Sequence, residues 1–219
     1  MVIVFEGIHG SGKSTQIDLL KRWIKINLKK DVTISKWNSH PFIADVTDKI
    51  KKKPTDNVIA ITISHALDFY LRLSSLNIND DVNIFDRYYY TQMIRDSIRG
   101  LDSDFTRNLY EYAPTPDLSF LLDVDTVTAV NRLEKDFEHR SSYILGTDLF
   151  DDRDIKSRIH KYFDLQRNKY REIFNTSGKN FHIIDGKESL ETQSAVICDI
   201  VRKYFQWEDI GRIKGLLLG

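Results

Sequence analysis

The stretch from Gly7 to Ser14 combines residue types that bind phosphate. Gly7, Gly12, Lys13 and Ser14 fit the P-loop pattern G-x-x-x-x-G-K-[ST]. In this pattern the glycines let backbone N–H groups converge on phosphate oxygens. The lysine reaches the outer phosphates of a nucleotide, and the hydroxyl ligates Mg²⁺. The spacing therefore predicts a nucleotide-phosphate site, provided that a strand precedes the loop and a helix follows it. Without that context, a glycine-rich turn would be an equally good interpretation.

Asp86 and Arg87 form a second candidate group, directly after the apolar stretch 82–85. A carboxylate at the end of a strand next to a P-loop can hold Mg²⁺ or its water. The adjacent guanidinium can bind a phosphate through two parallel hydrogen bonds. The alternative is a helix N-cap beside a solvated arginine. We favour the functional interpretation because a P-loop needs such a carboxylate partner.

The elements around these residues have the required order. The apolar, β-branched run 2–5 predicts a buried strand before the loop, and apolar residues recur at helical spacing from Ile17 to Leu28 after it. Strand-like and helix-like segments alternate along the rest of the chain. The predicted strands are 2–5, 32–37, 82–85, 118–124 and 181–184, and the main predicted helices are 57–76, 88–99, 126–137, 155–174 and 189–205. Residues 139–150 predict a loop.

Alternation of this kind predicts an α/β fold of the P-loop NTPase type. In such a fold a doubly wound, parallel sheet, here of five strands, is flanked by helices. Ligands of such sheets bind at the carboxyl ends of the strands, so functional residues should follow each strand. A further short helix is expected before Pro54. We interpret Lys51, Lys52 and Lys53 as its solvated C-terminus rather than as a phosphate site.

Composition excludes several classes of protein. The 219 residues suit one domain. Lysine plus arginine and aspartate plus glutamate both number 32, so no global field favours nucleic acid or an anionic membrane. The single cysteine excludes an internal disulfide and a cysteine-cluster metal site. No signal-like or membrane-spanning segment is expected, so the sequence predicts a cytoplasmic enzyme without nucleic-acid or membrane partners.

Four collinear motifs resemble the thymidylate kinase family. Residues 5–16 are similar to the family's FEGxDGxGKSTQ opening, and Asp86-Arg87-Tyr88 with Thr91 resembles its DRYxxS segment. Residues 116–124 resemble its PDLxxxLDV strand, and residues 183–186 occupy the place of its last strand and the loop near adenine. The resemblance covers residues 1 to about 206, and SKWNS and RYYYTQMIRDSIRG look most like the archaeal branch.

The resemblance implies ATP- and Mg²⁺-dependent phosphorylation of a nucleoside monophosphate, dTMP in this family, by a homodimer. It implies one kinase domain at 1–206, a lid at about 139–153 that closes over ATP, and a tail at 207–219. The implied ATP-binding residues are Gly7, His9, Gly10, Ser11, Gly12, Lys13, Ser14, Thr15 and Gly186, with Ser14 and Asp86 for the metal. The implied catalytic residues are Lys13, Asp86, Arg87, Arg140 and Arg153. The implied acceptor-binding residues are His9, Trp37, Phe69, Arg72, Arg87, Thr91, Gln92, Arg95 and Tyr170. Arg132 is expected to be structural.

The sequence departs from the family's pattern at His9, at Arg95 and, more mildly, at 37–39, where Trp-Asn-Ser replaces the bacterial arginine-glutamate-proline-glycine stretch. His9 stands where the P-loop of the family has aspartate, and Arg95 stands where many members have an aromatic residue that screens out the ribose 2′-OH. A histidine cannot supply the same negative charge, although the position could simply tolerate variation. Arg95 could instead pair with neighbouring Asp96. Phe69 precedes Arg72 by three residues, where the family's base-stacking phenylalanine precedes it by four, so a core aromatic is an alternative.

Three hypotheses follow from these residues. The first is a dTMP kinase. The second is a kinase of the same fold with another nucleotide or nucleoside as acceptor, and the third is a nucleotide-binding protein with weakened catalysis because of His9. Five residues argue against the third hypothesis, namely Lys13, Ser14, Asp86, Arg87 and Arg72. His9 and Arg95 leave the second and third hypotheses open.

Overall fold

Parallel pairing of five strands forms the centre of the fold. A computed structural model of the chain describes residues 1–76 and 82–218, with side chains through residue 206. In these residues the strands form one parallel sheet with helices on both faces, which confirms the predicted doubly wound α/β fold. The strands are β1 (Val2–Glu6), β2 (Val32–Lys36), β3 (Val82–Asp86), β4 (Leu118–Asp123) and β5 (Phe181–Asp185).

The helices lie between the strands, as alternation of the sequence predicts. They are α1 (Lys13–Asn27), α2 (Ala44–Ile50), α3 (Val58–Ser74), α4 (Tyr89–Ile98), α5 (Ser103–Asn108), α6 (Thr126–Leu133), α7 (Ser142–Leu145), α8 (Ile155–Thr176) and α9 (Leu190–Leu218). Short 3₁₀ helices cover Pro54–Asp56 and Glu134–His139.

Strand β1 is buried on both faces because its alternate side chains enter two different cores. Val2 and Val4 pack with residues of α3, α4 and α8, whereas Ile3 and Phe5 pack with residues of α1 and α9. A strand buried on both faces has a continuous apolar run, which is the pattern that residues 2–5 show. This burial fixes the position of the loop that follows β1.

The strand order β2-β3-β1-β4-β5 places the change of direction at β1. The chain moves to β3 on one side of β1 and to β4 on the other, so a crevice opens at the carboxyl end of β1. The loop 7–12 occupies this crevice, and Asp86 ends the neighbouring strand β3. The topology therefore brings together the two candidate groups that the sequence separates by more than 70 residues.

The prediction of a loop at 139–150 is wrong for one short segment. Residues Ser142–Leu145 form the helix α7, with Tyr143 and Leu145 buried. Gly146 ends this helix with φ 69°, and a Cβ there would lie 2.1 Å from the ring of Tyr162. One helical turn has too little periodicity to be read from sequence, and packing against α8 determines it.

Two other expectations change. Lys51 is buried, with 3% of its surface exposed, so the prediction of a fully solvated lysine run is wrong for that residue. Lys52 and Lys53 are exposed as predicted. The last helix was expected to end at Phe205, but α9 continues to Leu218, so the backbone of the predicted tail is helical. The side chains of residues 207–219 lie outside the described residues.

The described helices include none with the length and apolar character that crossing a membrane would require.

Candidate active site

The loop after β1 has the backbone geometry of a phosphate cradle. Gly12 caps α1 with φ 95°, a left-handed conformation that glycine adopts without steric cost. Gly10 has φ 79°, and a Cβ at this position would lie 2.5 Å from the carbonyl oxygen of Ala129. Both glycines are therefore required, one for its dihedral angle and one also for the close approach of α6. The N-terminus of α1 points its free N–H groups and its positive dipole end into the crevice.

Lys13 lies inside this loop and holds it together. Its ammonium donates to the carbonyl oxygens of Gly7 at 3.1 Å and Ile8 at 2.8 Å and to the hydroxyl of Ser11 at 3.1 Å. Burial lowers the pKa of Lys13 well below its usual value, and the positive charge of Arg87 lowers it further. An anion in the crevice would remove this penalty, because it would favour the charged form of the lysine.

Ser14 and Asp86 form the candidate metal pair. The Ser14 hydroxyl donates to the Asp86 carboxylate at 3.1 Å, so the P-loop and the end of β3 meet at these two oxygens. The described residues contain no cluster of three or more His, Cys, Asp or Glu that could hold a metal alone. Mg²⁺ in nucleotide sites usually takes one or two protein oxygens and completes its shell with water and phosphate oxygens. A hydroxyl–carboxylate pair beside a phosphate cradle fits that chemistry.

Arg87 is held in an unusual backbone conformation with half of its guanidinium anchored. Its φ is 75°, which is strained for a residue with a Cβ. Its Nη1 donates to the Gly7 carbonyl at 2.8 Å, to Thr91 at 3.1 Å and to Tyr170 at 3.3 Å. Its Nη2 is buried and has no hydrogen-bond partner in the described residues. A buried guanidinium nitrogen without a partner is costly unless a ligand supplies an acceptor.

Glu6 supports Arg87 through Thr91 and Tyr170, which hydrogen-bond to both side chains. This fully buried carboxylate accepts hydrogen bonds from the backbone N–H of Tyr88 at 2.8 Å, from the Thr91 hydroxyl at 2.6 Å and from the Tyr170 hydroxyl at 3.0 Å. Burial raises the pKa of Glu6, and Arg87 opposes that effect. The sequence alone predicts no separate role for Glu6, which lies within the family's opening motif. Its signal is a carboxylate at the end of a strand that is otherwise apolar, and such a group needs buried partners.

Two cavities meet at Arg87, which lines both. The P-loop cavity has a volume of about 400 Å³ and is lined by His9, Gly10, Gly12, Lys13, Ser14, Thr15, Asp86, Arg87, Arg132, Leu133 and Arg140. The Trp37 cavity has a volume of about 320 Å³ and is lined by His9, Lys36, Trp37, Asn38, Asp48, Lys51, Asp86, Arg87, Arg95 and Ile144. His9, Asp86 and Arg87 line both cavities, so two ligands bound side by side would meet at these residues.

His9 and Arg95, two positions that depart from the family's pattern, contact each other. The Nη2 of Arg95 lies 3.2 Å from the Nε2 of His9. Burial lowers the pKa of His9 well below its usual value, and the charges of Arg87, Arg95 and Lys13 lower it further. The imidazole is therefore neutral at pH 7. Because a guanidinium only donates, Nε2 accepts and the ring proton belongs on Nδ1.

A buried polar group lies behind the Trp37 cavity. Asp96 is fully buried and accepts from Thr62 at 2.7 Å and from Gln92 at 2.7 Å, and Gln92 also donates to the Tyr143 hydroxyl at 2.9 Å. His65 is fully buried between Trp37 and Tyr143, with neither ring nitrogen hydrogen-bonded in the described residues. Burial raises the pKa of Asp96 to about 7. The carboxyl group next to Arg95, which lines this cavity, thus changes charge near neutral pH.

This shift predicts a pH-dependent stability difference between the wild type and Asp96→Asn. The folded carboxyl keeps its proton up to about pH 7, whereas the unfolded chain loses it near 3.8. Its contribution to the free energy of unfolding is therefore fully present below pH 3.8 and is lost as the pH rises to 7, by at most about 1.4 kcal/mol per pH unit. Urea unfolding at pH 5, 6, 7 and 8 should show the variant gaining stability relative to wild type.

The matched control is Asp45→Asn, because the Asp45 side chain is largely exposed and pairs only with Lys49 in the described residues. Its stability difference from wild type should stay constant over the same range. A constant difference for Asp96→Asn as well would contradict the shifted pKa.

Several predicted site residues lie away from both cavities. Phe69 is fully buried and contacts five aromatic rings, those of Tyr70, Phe85, Tyr88, Tyr89 and Tyr110, which favours the core-aromatic alternative. Asp68, four residues before Arg72, pairs with it at 2.7 Å. Arg72 also donates to Ser35 and has one buried nitrogen, Nη2, without a partner.

The remaining predicted residues have mixed positions. Arg140 lines the P-loop cavity, whereas Arg153 is exposed and lines neither cavity. Gly186 does not line either cavity, and its N–H donates to the carbonyl oxygen of Asp123. Thr91, Gln92 and Tyr170 form the hydrogen bonds described above and lie behind the lining residues. Arg132, expected to be structural, donates to the Gly10 carbonyl at 3.1 Å and also lines the P-loop cavity.

Comparison with known proteins adds an independent result. A family model for thymidylate kinases matches residues 5–197. A probable thymidylate kinase 2 of Saccharolobus solfataricus is 33% identical over 211 residues, which cover 93% of this chain and 96% of that protein. A probable thymidylate kinase of Methanobrevibacter smithii is 31% identical over 92% of this chain and 100% of that protein. A probable thymidylate kinase of Thermococcus kodakarensis is 30% identical over 88% of this chain and 92% of that protein.

Proposed function

The chain belongs to the thymidylate kinase family, and from this membership we propose that it phosphorylates dTMP where its two cavities meet. It is a nucleoside monophosphate kinase, a phosphotransferase that converts dTMP to dTDP with ATP as the donor. The relatives at about 30% identity over most of the chain are archaeal proteins named as probable thymidylate kinases.

The shared wall of the two cavities is the observation that carries this proposal. A phosphoryl group can pass between two nucleotides only if the donor's terminal phosphate and the acceptor's phosphate lie in line and close together. His9, Asp86 and Arg87 line both cavities, and the P-loop lines the larger one. We assign ATP to the P-loop cavity and dTMP to the Trp37 cavity.

Charge neutralisation accounts for the catalytic roles that we assign. Lys13, Arg87 and Arg140 surround the site of transfer with three cationic side chains, and Arg132 adds a fourth. Phosphoryl transfer needs little covalent chemistry from the protein, so positioning and stabilisation of charge are its main contributions. Family members use Mg²⁺, which neutralises phosphate charge when bound, and the oxygens of Ser14 and Asp86 would hold it here.

The lid and the P-loop complete the donor site in this proposal. The ATP contacts comprise the P-loop residues and Gly186, which lies close to the backbone of Asp123 and Val124. The segment 139–153 acts as the lid of a kinase domain formed by residues 1–206. It brings Arg140 to the P-loop cavity, and Arg153 would have to move inward to reach it. Residues 207–219 extend the last helix beyond this domain.

The acceptor end combines aromatic and polar groups. Trp37 and Ile144 supply aromatic and aliphatic surface for a base, and we place the 5′-phosphate beside Arg87. Thr91 and Tyr170 hold Arg87 in place. On the α4 side of the cavity Arg95 contacts His9, and we place the sugar of the acceptor beside them. Gln92 lies behind the lining residues and supports this side of the pocket. Contact by Arg72 or Phe69 would require the pocket to rearrange.

An exposed apolar stripe supports the proposed homodimer. Ile59, Ile63 and Leu67 recur every four residues on α3 and are 56%, 49% and 44% exposed. Residues with this spacing lie on one face of a helix, and a second copy of the same face could cover them. Sedimentation equilibrium tests this proposal, and a monomeric mass at micromolar concentration would contradict it. We place the enzyme in the cytoplasm, since its single cysteine suits a reducing compartment.

A coupled ATP assay over a panel of acceptors tests the function. We expect the highest kcat/KM with dTMP among deoxy- and ribonucleoside monophosphates and unphosphorylated nucleosides. Lys13→Met purified in parallel controls for contaminating kinases. Turnover with none of these acceptors would contradict the assignment as a kinase. A clear preference for an acceptor other than dTMP would support the same-fold alternative.

A further inference from the structure

Lys51 is a buried cation that the sequence gives no reason to expect in a binding site. It directly follows α2, and its backbone N–H donates to the Thr47 carbonyl at 3.0 Å. Its two neighbours in the lysine run, Lys52 and Lys53, are exposed. Only 3% of Lys51 is exposed, and it lines the Trp37 cavity. The chain thus buries one lysine of a run of three and directs it to a ligand cavity.

The hydrogen bonds of Lys51 are incomplete. An ammonium group has three N–H donors. In the described residues, the Lys51 ammonium makes one hydrogen bond, to Asp48 at 3.1 Å. That carboxylate is 65% exposed and also accepts from the Asn38 side chain at 2.9 Å. Buried donors are almost always paired, so the remaining N–H groups of Lys51 require acceptors inside the cavity.

Lys51 lines the end of the Trp37 cavity that is not shared with the P-loop cavity. His9, Asp86 and Arg87 also line the P-loop cavity, so the acceptor's phosphate must lie beside them. Lys51 lines only the Trp37 cavity. Burial lowers the pKa of Lys51, and the charges that act on it are those of Asp48, Arg95 and Asp68 rather than those of the P-loop.

A base would bind at this end of the cavity. Trp37 and Ile144 supply aromatic and aliphatic surface, and Lys51 supplies hydrogen-bond donors at its edge. Thymine presents a keto oxygen at C4, which accepts hydrogen bonds, whereas cytosine presents an amino group, which donates them. An ammonium donates hydrogen bonds and cannot accept them. It can therefore pair with the keto oxygen of thymine, whereas the amino group of cytosine would place a second donor against it.

We propose that Lys51 reads the base of the acceptor nucleotide by donating a hydrogen bond to the C4 keto oxygen of thymine, and so discriminates dTMP from dCMP. This inference rests on the proposed function, because it requires dTMP to occupy the Trp37 cavity. It assigns base recognition to the end of α2, in a chain whose Arg72 is already paired with Asp68 and Ser35.

Steady-state kinetics of Lys51→Met with dTMP and dCMP test the proposal. Methionine keeps most of the aliphatic stem and removes the donor. We expect KM for dTMP to rise roughly 10- to 100-fold, the usual effect of losing a hydrogen bond to a charged group, with a much smaller change in kcat. The preference for dTMP over dCMP should fall by a similar factor. Lys52→Met is the matched control, and its KM values should equal those of wild type.

Lys51→Gln and calorimetric titration with each monophosphate in the absence of ATP extend the test. A glutamine amide can donate to a keto oxygen or accept from an amino group, so this variant should narrow the preference while the protein stays folded. Unchanged KM and Kd for dTMP in both Lys51 variants would overturn the proposal, and so would equal losses for dTMP and dCMP. Failure of the wild type to phosphorylate dTMP would instead overturn the proposed function.

Discussion

Lys13→Met is expected to lower kcat for dTMP phosphorylation roughly 10³-fold, with the fold retained. The ammonium of Lys13 is buried inside the P-loop, where it donates to the carbonyl groups of Gly7 and Ile8. In the reaction it must stabilise charge that develops on the transferred phosphoryl group, and an apolar side chain supplies none of that stabilisation. Coupled ATP turnover at saturating ATP and dTMP measures the loss.

Two controls separate catalysis from folding in this experiment. Lys25→Met changes an exposed lysine of the same helix and should leave turnover unchanged. Circular dichroism and thermal unfolding of Lys13→Met report whether the protein is folded, since removal of the ammonium also takes one of the donors from the carbonyl groups of Gly7 and Ile8. A folded Lys13→Met enzyme with wild-type kcat would refute the assignment of the P-loop as the donor site.

Arg87→Lys is expected to lower kcat/KM for dTMP by about 10²-fold or more, although charge is conserved. The guanidinium uses Nη1 to hold Gly7, Thr91 and Tyr170 and leaves Nη2 for a ligand. A lysine ammonium cannot occupy both positions at once, because it is a single point of charge on a flexible stem. Both KM and kcat should suffer, since Arg87 lines both cavities.

Arg107→Lys provides the matched control, because Arg107 is exposed and pairs only with Asp104 in the described residues. It should change neither constant. The backbone strain at position 87 is the same for lysine and arginine, so altered strain cannot explain a loss in Arg87→Lys. If Arg87→Lys retained the kcat/KM of the wild type, the role of the anchored guanidinium would have to be withdrawn.

The sequence determines the fold well where burial produces a pattern. A strand buried on both faces leaves a continuous apolar run, and this made β1 and β4 readable. The helix α7 was missed because four residues carry no periodicity, and contacts with Arg99 and Tyr162 stabilise it. The predicted end of the final helix at Phe205 is too early, because the composition changes there while the helical backbone continues to Leu218.

For the site, the rule that ligands bind at the ends of parallel strands was sufficient to bring Lys13 and Asp86 together. The rule gives no information about side chains that reach the site from helix faces. The prediction that Lys51 is solvated is wrong because a lysine run normally lies in solvent, and only the fold shows which of the three lysines is buried. Glu6 and Asp96 depend on partners that lie far apart in sequence, so their pairing is decided by tertiary packing.

The contact between His9 and Arg95 has a consequence for how this pocket can change by mutation. An aspartate at position 9 would face the Arg95 guanidinium and pair with it, and an aromatic residue at position 95 would leave His9 Nε2 without its donor. The first change would replace a contact with a neutral imidazole by an ion pair, and the second would remove the contact altogether. The two positions are therefore coupled, so the effect of a substitution at one of them depends on the residue at the other. Conversion of the His9–Arg95 pair into the family-typical aspartate and aromatic residue therefore requires substitutions at both positions, in either order.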